Sequence, residues 1–151
     1  MTELLVRKLR EYMVQNNPEL LLDLVEENKE EAYLKAAVDT IEPFLGHLVR
    51  EENPPYIIEE VCFDQLTKAL RPSKYAYVKS IAEERFPRHY EALQRTGILV
   101  TELSNIVAIC LPIFEVFRFS EETEDDDYLQ HAITTAMKGY FNYVPEFTKI
   151  S

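Results

Sequence analysis

The sequence predicts an all-α fold, a single compact domain over residues 1–151 with about seven helices around a buried central one. Three observations predict it. The chain holds three glycines in 151 residues, fewer than strands joined by tight turns would use. Prolines and capping residues recur where helices would stop and restart. Apolar side chains repeat at spacings of three and four along most segments, the period of an amphipathic helix.

Taken in order, Thr2 is positioned to cap a first helix running to Gln15, with Leu5, Leu9, Tyr12 and Met13 on one face. Asn17-Pro18 reads as an N-cap followed by a first-turn proline, so the chain stops and restarts there. From Leu20 the apolar positions Leu24, Val25, Leu34, Val38, Ile41, Leu45 and Leu48 predict one long helix or two consecutive ones. Pro43 is expected to kink or divide it, having no N–H for the carbonyl of Asp39. Asn53-Pro54-Pro55 restarts the chain, and Ile58, Val61, Cys62, Leu66, Ala69 and Leu70 form the next buried face.

Arg71-Pro72-Ser73 is a short turn with Ser73 capping a helix that ends near Phe86. Pro87 opens a short helix that Gly97 ends in a left-handed conformation. Residues 103–117, LSNIVAICLPIFEVF, are apolar nearly all round, which predicts a central helix covered by its neighbours and bent at Pro112. The last helix carries Leu129, Ala132, Ile133, Ala136, Met137, Tyr140, Phe141 and Val144 as one continuous stripe.

The formal charge of −11 favours solubility and opposes generic adhesion to DNA or anionic lipid. Between residues 68 and 95, seven Lys or Arg face three Glu, a local +4, so the remainder carries −15. Cys62 and Cys110 sit in apolar settings that suit buried thiols in a reducing compartment. The first residues, MTELLVRKLREY, lack the apolar core of a signal peptide. The longest uncharged apolar run, residues 106–114, falls well short of the ~20 residues that span a bilayer. These features predict a soluble cytoplasmic protein without membrane contact.

The densest cluster of ionisable groups is FSEETEDDDYLQHA, with six acidic side chains in residues 121–127. An EF-hand would need a glycine at the sixth position and a glutamate at the twelfth; counting from Glu121, these are Asp126 and Ala132. Asp127 and His131 lie one helical turn apart, but two ligands do not make a metal site. Thr123 and Asp126 have the capping-box spacing, and carboxylates before a first turn face the positive end of the helix dipole. A solvated helix start therefore accounts for the run.

Residues three before His47, His89 and His131 are Phe44, Phe86 and Tyr128, so the Glu-x-x-His pairs of di-iron bundles are missing. Neither His-x-x-x-His nor Cys-x-x-Cys occurs. Gly46, Gly97 and Gly139 are too scattered for a phosphate-binding loop. No catalytic residue, metal site or cofactor is predicted. The basic stretch LTKALRPSKYAYVKSIAEERFPRHYEALQR resembles a helix-turn-helix in outline, with Lys68, Arg71, Lys74, Lys79, Arg85 and Arg88 as the candidate patch for nucleic acid or a protein partner. Glu83 and Glu84 stand on its second helix where phosphates would lie.

The order of motifs resembles an all-helical domain of unknown function widespread in Bacteroidetes, often in mobile-element neighbourhoods. The matching pieces are LREYMVQNNPELLLD, EEAYLKAAVD, ALRPSKYAYVKSIAEERF, and ICLPIFEVF followed by an acidic loop and DYLQHAITTAMKGYF. The resemblance implies a compact helical fold and a bacterial cytoplasmic setting, and brings no activity or catalytic residues. The chain departs from that pattern at Ala76-Tyr77, where an aspartate and a threonine are expected.

The leading expectation is a non-enzymatic binding or accessory protein acting through another macromolecule, most simply a protein. The alternative is a nucleic-acid-associated module using the basic segment. A third reading, a small-molecule-binding or catalytic helical protein, requires a polar pocket in the core near Pro112.

Overall fold

The computed structural model describes residues 1–142. Among them, eight α-helices and one 3-10 turn are present and no strand, so the fold is all-α. The chain divides into two compact units, Met1–Arg71 and Pro72–Ser151. The division falls at the Arg71-Pro72-Ser73 turn, and each unit buries a hydrophobic cluster of its own.

Unit 1 contains α1 (Thr2–Asn16), α2 (Pro18–Glu26), α3 (Glu30–Arg50), α4 (Pro55–Thr67) and a 3-10 turn at Lys68–Leu70. Leu5, Leu9 and Met13 recur every fourth residue on α1 and are fully buried with Leu34 and Val38 of α3 and Cys62 of α4. Each such side chain removed from water contributes roughly 1.5–3 kcal/mol. Tyr12 and Phe63 add an edge-on ring contact at 5.7 Å. Lys8 pairs with Glu59 and Arg10 with Glu30, tying α1 to α4 and α3.

Several boundaries differ from the sequence reading for local reasons. Thr2 is the first helical residue rather than the cap, a position Met1 holds. The segment from Leu20 divides at residues 27–29, not at Pro43, because Asn28 adopts φ 58. Its N–H donates to the carbonyl of Val25 and that of Lys29 to Leu24, the paired bonds of a Schellman stop. Helix α3 runs uninterrupted through Pro43. Both Pro43 and Asp39 are exposed, so water can solvate the carbonyl the proline leaves free. Helix α4 ends at Thr67, leaving Ala69 exposed in the 3-10 turn and Leu70 half-buried.

Unit 2 contains α5 (Lys74–Arg85), α6 (Pro87–Thr96), α7 (Leu99–Val116) and α8 (Asp127–Asn142). Ser73 caps α5 as expected, its Oγ accepting from the N–H of Ala76 at 2.9 Å. Gly97 ends α6 at φ 77, also as expected. The stripe of α8 places Leu129, Ile133, Met137 and Phe141 in the core; Val144 lies outside the described residues. Opposite them α7 contributes Leu103, Ile106, Val107, Cys110 and Phe114, so its inward side is the centre of this core. Tyr140 of α8 hydrogen-bonds to Glu102 of α7.

Candidate docking surface on the outward side of α7

The sequence reading has α7 covered on all sides, and half of it is not. Successive residues turn by about 100° around a helix. The core residues Leu103, Ile106, Val107, Cys110 and Phe114 occupy one side. The opposite side is exposed, and in its last three turns Ala108, Ile109, Leu111, Pro112 and Val116 are accompanied by a single charge, Glu115. Val116 is 79% exposed and Ile109 54%. Pro112 therefore faces solvent rather than the core, where the freed carbonyl of exposed Ala108 can be hydrated. The helix continues past it to Val116.

Thr101, Asn105, Ala108, Pro112 and Glu115 run along the middle of this side, with Ile109 and Val116 toward one edge and Val100 and Leu111 toward the other. Helix α7 is also long and apolar enough to cross a membrane by length and composition. Its inward side, however, makes the core of unit 2, which a span would forfeit.

At the C-terminal end of α7 the chain turns through Arg118, a left-handed residue at φ 51, with Phe119 donating back to the carbonyl of Phe114. The acidic residues follow in a run of turns. The capping box expected between Thr123 and Asp126 does not form: Thr123 folds back to accept from the N–H of Ser120 at 2.9 Å. Asp126 alone caps α8, its Oδ1 accepting from the N–H groups of Tyr128 at 2.7 Å and Leu129 at 3.3 Å. Tyr77 packs edge-on against Phe114 and Phe119, joining α5 to the start of this loop. Burial, reinforced by Asp126, Asp125 and Glu124, raises its phenol to about 12. Tyr77, at the position where the chain departs from the resemblance, thus has a packing role.

The six residues of the basic patch are distributed between the units. Lys68 and Arg71 belong to unit 1, and Lys74, Lys79, Arg85 and Arg88 to unit 2. Arg71 is engaged locally, pairing with the Asp64 carboxylate at 2.8 Å and donating to the Asp64 and Thr67 carbonyls. On α5, Lys74 and Arg85 share a side, whereas Lys79 lies about 140° round the helix. Lys74 holds its ammonium 6.0 Å from the centre of the Phe114 ring.

The groups a catalytic reading would use are separated. His47 is exposed and faces Glu51 at 2.9 Å, one turn along α3. His89 stacks on Phe141 with ring centres 4.6 Å apart, and burial lowers its pKa below the ordinary imidazole value. Burial also lifts the Cys62 thiol, and that of Cys110 to about 11, so neither favours its thiolate. Among the described residues no three His, Cys, Asp or Glu side chains are grouped to hold a metal ion, and His131 has only Asp127 one turn away. A depression on α3 is lined by Asp39, Glu42, Pro43, Gly46, Val49 and Arg50.

The residues missed by sequence reasoning are Ile109, Leu111, Pro112 and Val116. A weak signal existed. Thr101, Asn105, Ala108 and Pro112 are spaced four, three and four apart, a line of small or polar residues that marks one side of the helix as different. No protein-family model, curated protein or solved structure matches the chain.

Proposed function

We propose that this chain is a non-enzymatic binding or accessory protein that acts by contacting another macromolecule, a protein in the first instance. The observation that carries the reading is the exposed apolar side of α7, three turns with one charge. Isolated exposed apolar residues are ordinary, whereas a continuous rimmed stripe of them is the usual mark of an interaction surface. The bacterial cytoplasmic setting is part of the same proposal and rests on the sequence resemblance.

Nucleic-acid binding draws less support. Of its six basic residues, Arg71 is tied to Asp64 and Lys79 is turned away from Lys74 and Arg85. The net charge of −11 opposes it further. The test is affinity capture from native extract with the wild-type chain and with Ile109→Glu, each with and without nuclease. The reading expects partners that survive nuclease and are lost with Ile109→Glu. Partners that vanish with nuclease and ignore Ile109→Glu would instead favour the basic segment.

A further inference from the structure

We draw no further inference here: the strongest candidate, the exposed apolar side of α7 from Ile109 to Val116, carries nothing beyond the interaction reading above, because nothing among the described residues shows what covers it.

Discussion

The longest helix of unit 1 and the central helix of unit 2 bury one side each and differ in what they show to water. Helix α3 buries Leu34 and Val38 and presents Glu31, Lys35, Asp39, Glu42 and His47 outward, with Val49 near its end as its one exposed large apolar side chain. Helix α7 buries Leu103, Ile106, Val107, Cys110 and Phe114 and presents Ile109, Leu111, Pro112 and Val116. Core packing explains the inward side of both helices. The outward side of α3 is mostly charged, as solvation would select, whereas that of α7 is mostly apolar and calls for another cause.

The sharpest way to break that comparison is to test the two sides of α7 separately. Phe114→Ala on the inward side should destabilise unit 2 by about 3–5 kcal/mol, the range for emptying a buried ring. Ile109→Ala on the outward side should stay within about 0.5 kcal/mol. Denaturant titrations followed by circular dichroism give both numbers. Comparable losses would mean that the outward side is covered in solution.

Acid should act on unit 2 through His89. Its folded pKa lies below the unfolded value because burial disfavours imidazolium, so the folded state binds fewer protons. The stability is fully present above the ordinary imidazole pKa of about 6.5 and is lost as pH falls through the lowered folded value. Stability curves between neutral and mildly acidic pH should steepen downward in the wild type and flatten in His89→Phe. A slope that survives the substitution would place the titration elsewhere.

Helix starts differ on a finer scale. Those of unit 1 have no side-chain cap bond, two of them opening on Pro18 and Pro55; in unit 2, α6 opens on Pro87 and α7 on Leu99 likewise without one, whereas α5 and α8 are capped by Ser73 and Asp126. Asp126→Ala should therefore lower stability by about 1 kcal/mol. Asn17→Ala should change it by no more than a few tenths, because the Asn17 Oδ1 is buried without a partner and caps nothing. Arg118→Gly, which relieves a left-handed non-glycine residue, should stabilise unit 2 by up to about 1 kcal/mol. Thermal melts of the three variants order these effects.

These same residues mark how far the sequence could be read. Helical periodicity carried the all-α fold, and strong local signals located Ser73 as a cap and Gly97 as a stop. The reading slipped where two local rules competed. Pro43 looked like a break but sits on a solvated side of α3, while Asn28, an ordinary residue in composition, makes the break by adopting φ 58. Thr123 and Asp126 had capping-box spacing, yet only Asp126 reaches the helix. The exposed side of α7 was hidden for a deeper reason. Apolarity all round a helix reads the same whether neighbours cover every side or a partner covers one, and only the packing of α5, α6 and α8 distinguishes the two.

The most direct test of the central claim is site-specific photo-crosslinking in native extract, with a benzophenone side chain at position 109 on α7 and, in a second protein, at position 35 on the exposed side of α3. The account predicts a discrete, nuclease-resistant protein adduct from position 109 and none from position 35. Adducts of equal yield from both positions, or none from position 109, would contradict it.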